Sequence, residues 1–247
     1  MKDLHNHLLY GIDDGSKDIE ASIKLLKKMK RYGVDEIVFT PHYIIGSNYN
    51  ANNKDKSNLL KTLQKKTSIK LYLGNEVALD NNIVSYIENN EISTINNSRY
   101  LLVEFPLNER LDCAEQLLDN LIKYDLVPII AHPERYHYYK LKDLEKFIEM
   151  GCLFQGNITS LVDKYGRHAK NNLTLLLKKD MIHVLGTDSH RSILDVRECE
   201  GELERIVSKE RFKELTDTNF DKIIKDKEII PYEIKKLNFF DSFKNIK

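Results

Sequence analysis

Seven short apolar runs, at residues 2–7, 36–40, 69–73, 100–105, 127–131, 152–157 and 183–187, alternate along this chain with stretches whose apolar residues recur every three or four positions. No other feature constrains the fold as strongly. Strands separated by helices cannot pair as tight hairpins; they pair in parallel through crossovers, with the helices laid over the sheet. The helical spacing is plain in three places. Ile19, Ile23, Leu26 and Met29 share one face ahead of Gly33, a residue suited to a helix C-cap. Ala114, Leu117, Leu118, Leu121 and Ile122 repeat the pattern, as do Leu141, Leu144, Phe147 and Ile148 before Gly151. Seven such units predict an α/β fold, an irregular TIM-like (β/α)7 barrel, with a doubly wound open sheet as the alternative. At 247 residues, with no internal repeat and no Pro/Gly-rich linker, the chain reads as one domain over 1–247. The Asn-rich stretch 47–58 reads as a polar loop, and 202–227 as an amphipathic helix of the outer layer.

Polar residues fall on this scaffold with a regularity of their own. His5 and His7 sit at the end of the first run, His42 follows the second and Glu76 the third. Glu104 closes the fourth, His132 follows the fifth, and Asp188 and His190 follow the seventh. In a parallel barrel all strand carboxyl ends open on one face, so residues spread over most of the chain converge there. Strand side chains alternate, so His5-x-His7 points both imidazoles to the same side, where they can chelate one divalent ion; Asp188-x-His190 offers a carboxylate and an imidazole in the same way. A single histidine at a strand end is more often structural. Four histidines, two glutamates and an Asp-x-His at successive strand ends are hard to attribute to chance. Mixed imidazole and carboxylate donors without thiolate suit Mn, Fe, Zn or Co, and the candidates exceed the needs of one ion.

Composition narrows the partners. Lys plus Arg and Asp plus Glu balance at 38 each, so no whole-protein field favours nucleic acid or an anionic membrane. No apolar run reaches the roughly 20 residues of a membrane span, and the opening residues lack a signal-peptide core. The expected compartment is the cytoplasm. Cys113, Cys152 and Cys199 show no Cys-x-x-Cys spacing and read as reduced thiols.

The segments His5-Asn-His7 with Gly11-Ile-Asp-Asp-Gly15, Thr40-Pro-His42, Gly74-Asn-Glu76, Leu102-Val-Glu104-Phe-Pro106, Ala131-His-Pro-Glu-Arg-Tyr136 and Gly186-Thr-Asp-Ser-His190 follow one another in order. They resemble the polymerase-and-histidinol-phosphatase superfamily of metal-dependent hydrolases, and within it the bacterial tyrosine-protein phosphatases of capsule and exopolysaccharide loci. The resemblance implies three metal ions, typically manganese, with Fe, Zn, Co or Mg as alternatives. Carried onto this chain, it implies one ion on His5, His7, Glu76 and Asp188, a second on Glu76, Glu104 and His132, and a third on Asp14, His42 and His190. Asp13 competes with Asp14 for the last site. Arg135 matches the phosphate-contacting arginine. The second such arginine is either Arg191 or Arg197; Arg197 is preferred because an intervening loop gives it reach. Tyr10 stands where the family often has proline.

The implied activity is hydrolysis of phosphotyrosine by metal-activated hydroxide, the substrate being a phosphotyrosyl protein such as the tail of a bacterial tyrosine kinase that controls polysaccharide export. The alternatives are a histidinol-phosphate or other small-molecule phosphatase, and a catalytically silent metal-binding regulator. Cys199 and Arg205 satisfy the Cys-x5-Arg spacing of cysteine-dependent phosphatases, but three glutamates lie between them and the segment reads as helix, so the match is read as coincidence. His137, His168 and His183 fall outside the constellation. Tyr136, Tyr138 and Tyr139 either line a phosphotyrosine pocket or pack a loop.

Overall fold

Six of the seven apolar runs contain strands, two short strands follow the second and third runs, and all of the strand pairings are parallel. The structure is a computed structural model and describes residues 1–231 and 233–235; the expected domain end at 247 lies outside them. Strands β1 (Glu36–Phe39), β2 (His42–Tyr43), β3 (Lys70–Leu73), β4 (Glu76–Ala78), β5 (Tyr100–Glu104), β6 (Val127–Ala131), β7 (Leu153–Asn157) and β8 (Val184–Gly186) alternate with helices. These are α1 (Ile19–Arg31), α2 (Asn53–Gln64), α3 (Ile83–Glu88), α4 (Ala114–Lys123), α5 (Leu141–Glu149), α6 (Gly166–Lys178), α7 (Val196–Glu204), α8 (Lys209–Lys213) and α9 (Asn219–Ile224).

Six strands form one curled sheet in the order β2-β4-β5-β6-β7-β8, and β1 pairs with β3 apart from it. The two sheets are nearly continuous: Gly74 N–H donates to the Phe39 carbonyl and Glu76 N–H to that of Pro41. Thus β1–β2 and β3–β4 each behave as one strand interrupted for two residues. Alternation along the strands sorts the core. Leu101, Val103, Ile130, Phe154 and Leu185 face outward into the layer made with α3 to α6. Their neighbours Leu102, Ile129, Leu153 and Val184 face inward, where Leu4 joins them and Phe220 and Ile223 of α9 close the space. Both faces are buried, which is why the strands read as unbroken apolar runs.

Three expectations are corrected. Residues 2–7 do not form a regular strand; they make only isolated bridges, Asp3 to Ile37 and Asn6 to Ser189. The segment nevertheless lies between two strands. Asp3 N–H donates to Glu36 O and Thr40 N–H to Asn6 O on one side, while Leu4 N–H donates to Leu185 O and His7 N–H to Ser189 O on the other. Its side chains compete for the same backbone groups: Asp3 takes the Thr187 N–H at 2.8 Å and Asn6 Nδ2 reaches Val38 O at 3.0 Å, which breaks the ladder. The close approach to β8 depends on Gly186, where a Cβ would stand 2.5 Å from that of His5.

The polar stretch 47–58 is not all loop. Asn52 caps α2, accepting from Asp55 N–H, so the asparagines that suggested a loop are in part a helix start. Finally, 202–227 is not one helix. It ends at Glu204, restarts at Lys209 behind the Ser208 cap, and passes through a π-helical turn at Glu214–Thr218 before α9.

Candidate metal centre

Glu104 is the last residue of β5, His132 follows β6, and Asp188 and His190 follow β8. His42 and Glu76 stand directly opposite each other in the β2–β4 register. Two of these positions carry unusual backbone: His132 has φ 33° and Asp188 φ 47°. Left-handed geometry in a residue other than glycine costs free energy, and at both places it turns the side chain from the strand axis into the cleft.

The nine candidates meet. His5 Nε2 lies 3.3 Å from Asp188 Oδ1 and 3.5 Å from Glu76 Oε1, and His7 Nε2 lies 3.3 Å from Glu76 Oε2. His132 Nε2 is 3.0 Å from Glu76 Oε1 and 3.5 Å from Glu104 Oε1. On the outer side His190 Nε2 and His42 Nε2 lie 3.4 and 3.7 Å from Asp14 Oδ1. Four overlapping groups, His7/Asp14/His42/His190, His5/His132/Asp188, His5/His7/Glu76 and His42/Glu76/Glu104, each hold their donor atoms within 4.8 Å of one another. Glu76, fully buried, belongs to two of them.

The donor atoms themselves favour a cation between them. His42 Nδ1 and Glu76 Oε2 approach to 2.9 Å, yet both, with Asp14 Oδ1, are buried without a hydrogen-bond partner. An unpartnered buried polar atom costs about 1–3 kcal/mol. Atoms aimed at one another's lone pairs are a poor hydrogen-bond network and a good ligand set, so the residues present fit divalent metal.

A second layer fixes their orientation. Asp13 accepts at 2.8 Å from His7 Nδ1 and also takes the N–H groups of Gly15 and His42. It therefore turns away from the donor cluster and Asp14 turns toward it. Thr40 Oγ1 lies 3.3 Å from His5 Nδ1. Asp188 is held most tightly: Oδ2 accepts from Tyr165 Oη at 2.8 Å, Asn157 Nδ2 at 2.9 Å and Arg135 Nη1 at 3.1 Å. Only Oδ1 is left to face His5, His7 and His190.

Charge follows the same geometry. Burial would raise the Glu76 and Asp188 carboxyls, but the imidazoles, His5 foremost, outweigh it and hold both well below the usual range. Glu104 goes the other way: burial and then the Glu76 charge push it up to about 8. Burial keeps His132 below the ordinary histidine value. A bound cation requires neutral imidazoles and ionised carboxylates, the state toward which Glu76, Asp188 and His132 already lean.

These groups line a cleft of about 270 Å³ together with Arg135, Lys164, Tyr165 and Ser192. The Arg135 guanidinium stacks on the Tyr165 ring at 4.5 Å. The preferred second arginine is not among the lining groups. Arg197 is exposed, with Nε on Asp195 Oδ1 at 2.9 Å and its guanidinium over Tyr32. Only five residues lie between it and Arg191, and α7 turns it outward. Arg191 Nε donates to the Asp14 and Gly15 carbonyls instead. Cys199 is buried in α7 with its thiol pushed up to about 12 by burial, and Arg205 pairs with Glu202 at the surface, so no phosphate loop exists there. His183 is buried and accepts from Phe154 N–H, and His168 pairs with Asn172. His137 packs against Tyr138. Tyr136 is buried on Phe105 and Tyr139, and all three tyrosines of that run pack on one another rather than line the cleft.

Sequence reasoning missed Asn157, Lys164 and Tyr165. Asn157 carried a signal, a polar residue at a strand end like the others. Lys164 and Tyr165 come from irregular chain after β7, where no periodicity marks direction.

Residues 1–225 match the family described as capsular polysaccharide synthesis, CpsB/CapC. The chain is 38% identical over 196 residues to the putative tyrosine-protein phosphatase CapC of Staphylococcus aureus, covering 77% of each. It is 31% identical over 202 residues to the tyrosine-protein phosphatase CpsB of Streptococcus pneumoniae, covering 77% of this chain and 83% of that one. Among solved structures it superposes with a TM-score of 0.86, at 26% identity and over 96% of this chain and all of the other, on a metal-dependent tyrosine phosphatase from the work on Bacillus subtilis YwqE and S. pneumoniae CpsB. A phosphotriesterase homology protein of Escherichia coli shares the fold alone, at a TM-score of 0.55 and 10% identity over 88% of this chain and 96% of that one. This chain belongs to the CpsB/CapC family of capsular polysaccharide synthesis, whose relatives named above are tyrosine-protein phosphatases.

Proposed function

We propose that this protein is a metal-dependent protein-tyrosine phosphatase. The observation that carries the reading is the convergence of nine imidazole and carboxylate side chains, seven of which line one cleft with Arg135, in a chain whose relatives bear that activity in their names. The ligand sets we infer are His5, His7, Glu76 and Asp188 for one ion, Glu76, Glu104 and His132 for a second, and Asp14, His42 and His190 for a third. Manganese suits the mixed donors. Bound there, divalent ions supply Lewis-acid charge and lower the pKa of coordinated water. We infer that the N-terminal segment, bonded to both β1 and β8 though not a regular strand, fills the seventh strand position of an irregular barrel whose site opens on the strand carboxyl ends. We take residues 1–247 as one domain acting in the cytoplasm.

The residues divide the remaining work. Arg135 offers phosphate a planar, two-pronged donor fork, and the Tyr165 ring keeps that fork facing the cleft. Arg135 now bonds Asp188, so phosphate replaces a carboxylate oxygen as its acceptor. A departing phenolate, with a parent pKa of about 10, needs less proton assistance than an alkoxide, and we assign no general acid. The phosphotyrosyl substrate fits the tail of a bacterial tyrosine kinase.

Chelator-stripped protein is assayed with and without Mn²⁺ on a phosphotyrosyl peptide and on histidinol phosphate. Manganese-dependent release that favours the peptide supports the reading. Preference for histidinol phosphate moves the function to small molecules, and full metal occupancy without turnover of either overturns it.

A further inference from the structure

Beside the metal cleft runs a groove of about 550 Å³ between α1 and the chain that leaves His190. One wall is a single face of α1. Ala21, Lys24, Lys28 and Arg31 follow at spacings of three, four and three residues, the stripe that one helical side presents, and Lys17 extends it just ahead of the Asp18 N-cap. Arg191, Ser192 and Ile193 form the other wall, with Leu25 between. The groove thus has five cations and no carboxylate in its lining. Residues 17–31 carry six basic residues against two acidic ones in a protein whose overall charge is zero, so the field is local.

Internal partners leave much of that charge unspent. Lys28 Nζ donates to Ile193 O and lies over the Tyr32 ring; Arg191 donates to carbonyls, which do not cancel charge. Lys17, Lys24 and Arg31 are exposed and show no ion pair among the described residues. Asp195, at the start of α7, is occupied by Arg197. The groove also adjoins the catalytic cleft: Ser192 lines both.

We propose that this groove docks an acidic stretch of the phosphotyrosyl protein, next to the phosphotyrosine that enters the cleft. It rests on the phosphatase reading for what is delivered and on its own geometry for what binds. An extended acidic peptide fits because the cations run along about two turns of α1, with Lys17 just ahead of the helix, and line a concavity that also holds apolar Leu25 and Ile193. A flat anionic bilayer cannot follow that concavity, and a free small anion would use only a fraction of it. Like-signed walls speed encounter and select partners of opposite sign.

The test pairs a binding measurement that needs no turnover with a kinetic one. A fluorescein-labelled, unphosphorylated peptide rich in Asp and Glu, and a Ser/Gly peptide of equal length, are titrated with wild type and with Lys24→Glu/Arg31→Glu by anisotropy. The acidic peptide binds wild type, weakens about tenfold in the variant and weakens with added salt, while the neutral peptide binds neither. Equal affinity in both proteins overturns the proposal. So does variant-sensitive co-sedimentation with phosphatidylglycerol vesicles when peptide binding is unchanged. In the Mn²⁺-supplemented assay, the variant raises KM for an acidic phosphotyrosyl peptide about tenfold and leaves kcat and p-nitrophenyl phosphate turnover at wild-type values. Absence of all turnover with the binding difference intact removes the phosphatase reading and leaves the docking surface standing.

Discussion

At the scale of single residues, the centre separates donor atoms from the atoms that aim them. Glu76 is buried at the meeting point of His5, His7, His42 and His132. Glu76→Ala therefore abolishes both activity and metal retention in a folded protein, read by phosphate release and by metal content after dialysis. Arg135 touches only the outer oxygen of Asp188 and none of the clustered donor atoms, so Arg135→Ala still fills with metal at saturating Mn²⁺ and loses affinity for inorganic phosphate. A reversed pattern removes the assigned roles. Tyr165 is a positioning residue. It locks Asp188 Oδ2, and loss of such an outer hydrogen bond to a metal ligand costs about 10- to 100-fold in metal affinity or activity. Tyr165→Phe removes that bond and keeps the ring under Arg135. Manganese titration is thus expected to show weaker binding, with phosphate affinity of the metal-saturated protein kept.

The sequence and the structure part company at this same scale. His-x-His, Asp-x-His and the strand-end glutamates were legible because strand alternation fixes side-chain direction before any tertiary contact exists. Adjacent Asp13 and Asp14 were not. Both are acidic and both lie in the loop 11–15, and only folding shows Asp13 spent on His7 and backbone N–H groups. Arg197 failed for a related reason. Reach along the chain says nothing about which way a helix turns the side chain, and α7 carries it to Asp195 and Tyr32.

At the scale of elements, α2 shows how a buried charge anchors a helix. Lys56 is fully buried and, among the described residues, its ammonium reaches the Asn75 side-chain oxygen, beside Glu76. Burial lowers its pKa from 10.5 to about 7. A lysine whose folded pKa is lowered binds more protons unfolded, so its penalty is full below about pH 7 and fades as pH rises toward 10.5. Lys56→Met should raise stability at pH 6 by roughly 1–4 kcal/mol, as replacement of other buried charges by apolar groups does. That gain should shrink at pH 10. Chemical denaturation at the two pH values reads it, and a gain independent of pH contradicts the cause given. Asn75 keeps an N–H donor from Ser93, so the substitution leaves no orphaned oxygen there. The burial of Lys56 was not legible, because 47–58 looked like loop until Asn52 proved to be a cap.

For the whole molecule, the consequence is that stability and metal binding are one property. Carboxylates Asp14, Glu76, Glu104 and Asp188 converge from distant parts of the chain, and their mutual repulsion is borne by the fold when no cation sits among them. Excess ligand at about 100 times Kd stabilises a native state by roughly 2.7 kcal/mol. For a chain of this size each kcal/mol is about 2–4 °C. Manganese should therefore raise the unfolding temperature by about 5–11 °C in wild type and by much less in Glu76→Ala. Equal shifts would place the metal elsewhere.

Much of this protein was fixed by the order of its residues. Parallel pairing, alternation about a two-faced core and the placing of the candidate ligands at strand ends follow from period-two and period-3.6 patterns, which are local properties. Tertiary structure decided the rest. Whether 2–7 is a strand depended on Asp3 and Asn6 competing for the backbone of β1 and the Thr187 turn. The aim of Asp188 depended on Asn157, Tyr165 and Arg135, which lie 23 to 53 residues away in the chain. Such contacts have no period to read, because they arise only when separate units close on one another.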